Sequence, residues 1–475
     1  MSTDAQGVGE PGRDALALRR IEVLRALSGG AASDATEHTG RIHAWEVDGT
    51  EIRLVTELEG IATFSERLRV LRPDGTALSP DPTDPALAGA LDVLSLTASI
   101  SYLKATLPAR IRLVGRTVGP AGLAMLRALL TDGLAELALR AGLGRLDDAF
   151  DLPTASAPTA SGREDVREGT LVTVGGGKDS ALTLALAARH DPQVLAVAVN
   201  PRAPMERTAA WAGVDLVRIE RRLDRALLDL NTRGAINGHV PITAIVTSAA
   251  AVAAAMLGRG TVLVSNERSA EAATRDVDGW HVNHQYSKTS AFERLLDAAL
   301  GESGARTRVV SLLRPLSELA IARGVAREVG LVAQVTSCNA AFALDGPGDG
   351  WCGRCDKCRF VQLALAPFSD RRQLEADLGF DALGDPEQID AFATMLDAAT
   401  KPFECVGTVE EVRLAFDLLS TMEGWQDAAA VRTLGDATAT DLAERRAAAL
   451  APDLAAMPPE PFDGWLATLD AEVGP

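Results

Sequence analysis

Cysteine is scarce and unevenly spent: five residues in 475, four of them between Cys338 and Cys358. That usage excludes a disulfide framework, which a chain long enough for two or three domains does not need to stabilise its cores. The first twenty residues are Gly-rich with mixed charge and lack the apolar stretch of a secretory signal, so the expected location is cytoplasmic. No basic patch offsets a net charge of -18, which repels nucleic acid at long range. RNA and DNA are therefore not expected partners, whereas a small anionic substrate in a locally basic cleft stays open. The longest apolar run is Val240 to Leu257, mostly alanine with serine and threonine and ended by Gly258-Arg259-Gly260. Its length matches a membrane span, but an Ala-rich run of this kind reads as a buried helix, without membrane insertion. Internal repeats and heptads are absent. What remains, 47% apolar and 24% charged residues, is the balance of a globular protein.

Along the chain, residues 1–20 read as a flexible tail. Residues 21–152 form an expected N-terminal α+β domain: Arg41 to Glu66 is short and β-like, while Ala86 to Leu107 and Gly122 to Leu143 have helical period. Residues 153–168, rich in Pro, Ala, Ser and Thr, read as a linker. Strand and helix then alternate. Thr170 to Val174, Val194 to Val199, Val214 to Ile219 and Thr261 to Val264 read as strands, with helices at Ala181 to Arg189, Leu223 to Leu230 and Ile242 to Leu257. This is the rhythm of an α/β fold whose parallel sheet, in residues 169–369, binds ligands beyond the carboxyl ends of its strands. Residues 370–475 form an acidic, helical C-terminal region without recognisable chemistry.

Between the first core strand and its helix lies Gly175-Gly176-Gly177-Lys178-Asp179-Ser180. Free backbone N–H groups and a helix N-terminus at one point suit a phosphate. The string is not a Walker loop, because Val172 stands five before Gly177 and Asp179 follows Lys178; Ser180 excludes the dinucleotide fingerprint. A plain strand-helix turn would also use glycine. The complete string resembles the Ser-Gly-Gly-x-Asp-Ser signature of the PP-loop ATP pyrophosphatases, with Gly175 in place of the leading serine. That resemblance implies ATP cleaved at its α phosphate, Asp179 helping to hold magnesium and Ser180 bonding a phosphate.

Cys338, Cys352, Cys355 and Cys358 offer four thiolates, enough to close a tetrahedral structural zinc shell. An iron-sulfur cluster or a redox pair are the competing readings. The arrangement, downstream of a PP-loop sheet, also resembles the zinc site of 7-cyano-7-deazaguanine synthase. A PP-loop ligase of that kind is the alternative function, although its glycine loop lies near its start rather than after a large N-terminal region. A degenerate nucleotide-binding scaffold is a third reading.

Three polar strings fall on consecutive connections of the expected sheet: Asn237-Gly238-His239-Val240-Pro241, Asn266-Glu267-Arg268-Ser269 and Asn283-His284-Gln285-Tyr286-Ser287-Lys288. Each alone reads as a solvated loop or helix cap. Together with SISYLKATLP at 99, GGGKDS at 175, SCN at 337, WCGRCDKCRFV at 351 and PFECVGT at 402, they resemble the UDP-N-acetyl-α-D-muramoyl-L-alanyl-L-glutamate epimerase family. The resemblance spans about residues 90 to 410, and nothing after Val412 contributes to it. It implies a PP-loop core, a nucleotide-linked dipeptide substrate, and ATP spent in inverting the terminal glutamate. Asn266 and Arg268 join Gly175 to Ser180 as expected nucleotide contacts. His239, Glu267, His284, Tyr286 and Lys288 are the candidates for proton transfer, with His284 and Tyr286 favoured. Arg202, Arg207 and Arg268 are candidate partners for substrate anions. Cys405, the cysteine outside the cluster, reads as packing.

Overall fold

The computed structural model describes residues 11–28, 38–156, 168–343 and 345–471. Most of the expected linker, 157–167, and the first ten residues of the expected tail lie outside them. The rest of that tail is not loose. Pro11–Leu27 is a helix, because Leu16, Val23, Leu24 and Leu27 recur at helical spacing and are buried together. Arg20 on this helix donates to the carbonyls of Leu107 and Ala149 at 2.6 and 2.7 Å.

Twelve strands occur among the described residues: β1 (Thr39–His43), β2 (Glu46–Asp48), β3 (Glu51–Leu58), β4 (Ala62–Leu71), β5 (Arg110–Val114), β6 (Thr170–Thr173), β7 (Leu195–Val199), β8 (Leu216–Arg222), β9 (Thr261–Val264), β10 (Arg275–Val277), β11 (Trp280–Val282) and β12 (Arg308–Ser311). All but β10 and β11, which pair with each other, belong to one ten-stranded sheet of order β12-β9-β6-β7-β8-β4-β3-β1-β5, with β2 on β3. The five strands from β12 to β8 are parallel, as the alternation of strand and helix implies.

The N-terminal strands do not make a sheet of their own. β4 pairs antiparallel with β8, so residues assigned to separate domains on sequence share a ladder. A buried ion pair sits at that junction: Arg221 Nε meets Glu66 Oε1 at 2.6 Å, and Glu66 is fully buried. An antiparallel strand needs no crossover helix, so the earlier segment can extend the core sheet directly.

Both faces of the parallel part are covered, and the side chains divide by alternation. Leu171, Val197, Val262 and Val264 face one core, built with the helices Pro85–Leu103 and Ile242–Leu257. Val172, Ala196, Ala198 and Leu263 face the other, built with Lys178–His190, Glu318–Arg327 and the C-terminal helices Asp356–Leu365 and Val409–Ser420. Pro85–Leu103 is started by Asp84, which accepts from the Ala86 N–H, with Pro85 in the first turn. It is long and apolar enough to cross a membrane, but 89% of its most apolar window is buried inside the protein. The Ala-rich run Ile242–Leu257 is likewise a buried helix, ended by Gly258 in the left-handed region at φ 67°.

In this order β6 has β7 on one side and β9 on the other. The chain runs outward from β6 to β8 on one side and then returns to place β9 on the other side of β6. The crevice beyond the carboxyl ends of β6 and β9 is therefore the topological switch point, where ligands of open parallel sheets bind.

Candidate active site

A cavity of about 350 Å³ opens at that switch point, walled by Gly175 and Gly177 to Ser180, the ends of β6 and β9, and Lys288, Glu318, Ser337, Lys357 and Cys405. Backbone geometry explains the glycines. Gly176 has φ 85°, and an added Cβ would sit 3.1 Å from Pro204 Cβ and 3.4 Å from the Thr336 carbonyl, so both the angle and the space favour glycine. Gly175 differs: an added Cβ would meet nothing within 4 Å, so space does not explain why serine is absent there. Ser180 folds back over the loop, accepting from the Gly175 N–H at 3.2 Å and donating to the Gly177 carbonyl at 3.1 Å.

Two helices begin at this cavity, Lys178–His190 and Ile242–Leu257, and neither has a side-chain cap. Their N-terminal ends and dipoles make the region receptive to an anion. Lys178 is held in an ion pair with both Asp179 and Glu318. Burial alone would depress its pKa, but the two carboxylates outweigh burial and hold it protonated, above its ordinary value. Burial pushes Glu318 upward, the Lys178 ammonium works against it, and the charges of Asp179, Glu267 and Glu411 add to the rise, so its charge depends on that one cation. Asp179 is the carboxylate at the loop tip with a face to solvent, 27% exposed, and the residue here able to hold a divalent ion against a bound phosphate.

A second set of polar groups adjoins the cavity. His284 Nδ1 pairs with the Glu136 carboxylate, and His239 Nδ1 lies 3.7 Å from the same carboxylate. The two imidazoles are 4.4 Å apart between ring centres. Burial lowers both histidines. For His284, the acceptors Cys405 and Glu136 reverse the effect and bring its pKa to about 9, whereas His239, beside that cation, falls to about 4. Lys288 Nζ donates to Gln285 Oε1 at 2.8 Å and lies 3.7 Å from Cys405 Sγ and 3.9 Å from Glu267 Oε2.

The expected site residues thus separate. Gly175 to Ser180, Asn266 and Lys288 share the cavity; Asn266 donates to Ser311 Oγ at 2.9 Å, tying the ends of β9 and β12. His284 and His239 stand behind Cys405. Glu267 is fully buried behind Lys288. Tyr286 is turned away, bonded to Asp132 and packed edge-on against Phe292 at 5.9 Å. Arg268 also departs from expectation: its guanidinium donates to the carbonyls of Ala449 and Ala451, not to the loop. Arg202 caps the carbonyls of Ala341 and Ala343, and Arg207 is paired with Asp349.

Three residues gain a place that the sequence reading did not give them. Glu136 and Glu318 lie in ordinary amphipathic helices, and no local pattern marks them. Cys405, read as packing, belongs to none of the apolar clusters among the described residues and lines the cavity instead. It arrives on a strap, residues 401–406, held down by Phe403 between the guanidinium groups of Arg140 and Arg275, at 5.0 and 5.1 Å. Asn339 donates to Glu404 Oε1 at 2.6 Å, and Arg275 to the carbonyls of Ala399 and Lys401.

The cysteine cluster is assembled. Four sulfurs from Cys338, Cys352, Cys355 and Cys358 lie within 4.8 Å of one another, with Sγ–Sγ distances of 3.4, 3.7 and 4.0 Å among bonded pairs. A tetrahedron with zinc-sulfur bonds of about 2.3 Å has edges of about 3.8 Å, so the donor set fits that ion. Backbone N–H groups of Cys352 and Cys355 point at sulfurs, the usual support for thiolate charge. Gly353, at φ 68°, leaves room for Phe380, 3.0 Å from where its Cβ would be. No donor position stays open, and the cluster joins Ser337 to the helix carrying Lys357, both on the cavity wall.

Comparison with known proteins covers nearly all of this architecture. The family model described as MurL N-terminal domain matches residues 38–312, and that described as MurL C-terminal domain matches residues 334–449. The match therefore runs past Val412 and begins well before residue 90, wider at both ends than the strings implied. Curated relatives named UDP-N-acetyl-alpha-D-muramoyl-L-alanyl-L-glutamate epimerase include those of Salinispora tropica, 42% identical over 74% of this chain and 77% of the relative, and of Micromonospora sp., 42% over 75% and 80%. The Xanthomonas oryzae pv. oryzae relative is 38% identical over 73% of this chain and 78% of its own. With both family models matched in order and identity sustained over three quarters of the chain, the protein belongs to the UDP-N-acetyl-α-D-muramoyl-L-alanyl-L-glutamate epimerase family.

Proposed function

We propose that the protein inverts the terminal L-glutamate of UDP-MurNAc-L-Ala-L-Glu to D-glutamate at the expense of ATP and magnesium, releasing AMP and pyrophosphate, in cytoplasmic peptidoglycan-precursor synthesis. The observation that carries this reading is that one cavity combines an anion-receptive glycine loop with a thiol and an ammonium group, with the His284 imidazole next to the thiol. ATP answers a specific difficulty. Removing the α-hydrogen beside a carboxylate would put two negative charges on one small unit. Joining that carboxylate to AMP removes its charge and lets the developing enolate spread onto an acyl oxygen, within reach of a side-chain base.

In this reading Gly175 to Ser180 and Asn266 contact the nucleotide, Lys178 offsets phosphate charge, and Asp179 holds magnesium, which supplies charge neutralisation at the phosphates. Lys288, His284 and Cys405 face the glutamate. The cysteine cluster holds a structural zinc. The ligase alternative, which rests on the cysteine arrangement downstream of the glycine-loop sheet, gains no further support. The test is incubation with ATP, magnesium and the nucleotide dipeptide, followed by hydrolysis and chiral analysis of glutamate. D-Glutamate with AMP and pyrophosphate is expected; ADP and phosphate, or inversion at full rate without ATP, would refute the ATP step.

A further inference from the structure

We propose that Cys405 is the group that takes the α-hydrogen of the substrate glutamate from one face. The inference rests on the epimerase reading above and names one of its proton-transfer residues. Geometry comes first. Cys405 is half-buried on the wall of the cavity that also holds the glycine loop, so a glutamate activated at the loop lies within that same enclosure. Its sulfur has Lys288 Nζ at 3.7 Å, and the charge of His284 also acts on it. His284 is in turn held by the Glu136 carboxylate. A reactive group, a partner and a third group that fixes the partner is the arrangement by which side chains are activated.

The surroundings favour chemistry over packing. The strap is fixed by Phe403, Glu404 and two backbone carbonyls, so its position does not depend on the Cys405 side chain. Glu267, fully buried, leaves Oε2 without a hydrogen-bond partner among the described residues and 3.9 Å from Lys288. That carboxylate keeps Lys288 charged next to the sulfur. Burial alone would raise the Cys405 thiol; Lys288 and His284, with Lys357 further off, outweigh it and bring the thiol down to about 7. Near neutrality much of it is thiolate, the form that accepts a proton.

In the step, the thiolate forms an S–H bond as the α C–H bond breaks, and the electron pair passes to the acyl oxygen of the activated glutamate. A proton originating from solvent then reaches the opposite face, and the thiol returns its proton to solvent, so one proton enters and one leaves. His284 and Lys288 position and stabilise the thiolate. In the reverse direction Cys405 gives the proton back on its own face.

The experiment uses the full chain with the nucleotide dipeptide in deuterium oxide, with and without ATP and magnesium, for wild type, Cys405→Ser and Cys405→Ala. Pyrophosphate release and α-deuterium entry are read separately. The expected result is persistent pyrophosphate release with exchange reduced by ~10²-fold or more, the loss typical of a missing acid or base. In the wild type, iodoacetamide labelling at the Cys405 peptide should rise with pH through about 7, below the ~8.5 of an ordinary thiol. His284→Ala should move that profile upward. Exchange near the wild-type rate in the variants, loss of both signals together, or an ordinary thiol profile would each overturn the proposal. Wild-type exchange without ATP would instead strike the adenylate step, and the dependence on Cys405 would still be read.

Discussion

Lys178 is the residue whose replacement gives the sharpest quantitative expectation. Its ammonium is 5% exposed, and it is the cation bonded to both Asp179 and Glu318, the latter 3% exposed. Lys178→Met keeps the length of the side chain and removes the charge, leaving Glu318 facing Asp179, Glu267 and Glu411 without compensation. Breaking a buried ion pair by deleting one partner costs about 3–5 kcal/mol, whereas replacing both by neutral groups is often close to neutral. Lys178→Met should therefore lower the denaturation midpoint by a large part of the total stability, typically about 5–15 kcal/mol. Lys178→Met with Glu318→Gln should recover most of that loss, because both buried charges are gone and Asp179 retains its exposed face. Turnover should stay low in both variants, since neither has a cation at the loop. Denaturant titration of the four proteins of the cycle gives the coupling directly. If the single variant is as stable as wild type, or the double variant no better than the single, the charge balance described for this cavity is wrong.

Other variants separate the remaining roles. Asp179→Ala should abolish pyrophosphate release and α-deuterium exchange together while leaving the denaturation curve nearly unchanged, because a loop-tip carboxylate contributes little to packing; magnesium titration of residual activity checks the assignment. Protein purified without chelator should carry about one zinc per chain by metal analysis without an iron-sulfur band, and Cys355→Ala should be recovered as insoluble protein, since a closed metal site is coupled to folding. His284→Ala should retain pyrophosphate release while α-deuterium exchange falls by ~10²-fold or more. Tyr286→Phe, whose hydroxyl is engaged with Asp132, should keep both signals near wild type.

How much of this was legible in the sequence depended on how local its cause is. β9 and the helix Ile242–Leu257 can be bounded from sequence because buried apolar runs end at glycine or at a polar string. The glycine loop is legible as a tight strand-to-helix turn because the backbone angles that require glycine lie within six residues. The union of the N-terminal strands with the core sheet is not, since the β4–β8 ladder joins residues about 150 apart, and Glu66 and Arg221 look like ordinary surface charges until they are paired. Glu136 is hidden for the same reason: in a Leu- and Ala-rich helix it resembles any solvated carboxylate, and only the tertiary fold sets it against His284. Cys405 was misread by elimination. With four cysteines assigned to a metal, the fifth looks like core, although no apolar cluster among the described residues includes it.

The positions of these groups explain why the cavity draws on nearly the whole chain. The parallel sheet and its connections supply the glycine loop and Lys288, but not the groups that surround the Cys405 sulfur on its other side. Cys405 comes from beyond the cysteine cluster, and Glu136, which fixes His284, comes from before the glycine loop. Arg140, one turn after Glu136 and bonded to it at 2.7 Å, also covers Phe403 of the strap. One short helical segment, Ala135–Arg140, therefore both orients the imidazole and clamps the segment that carries the sulfur. The cysteine cluster ties the turn carrying Ser337 to the helix carrying Lys357, both on the cavity wall. Held between these anchors, the Cys405 sulfur sits on the cavity wall 3.7 Å from Lys288 Nζ without depending on its own side-chain contacts for its position.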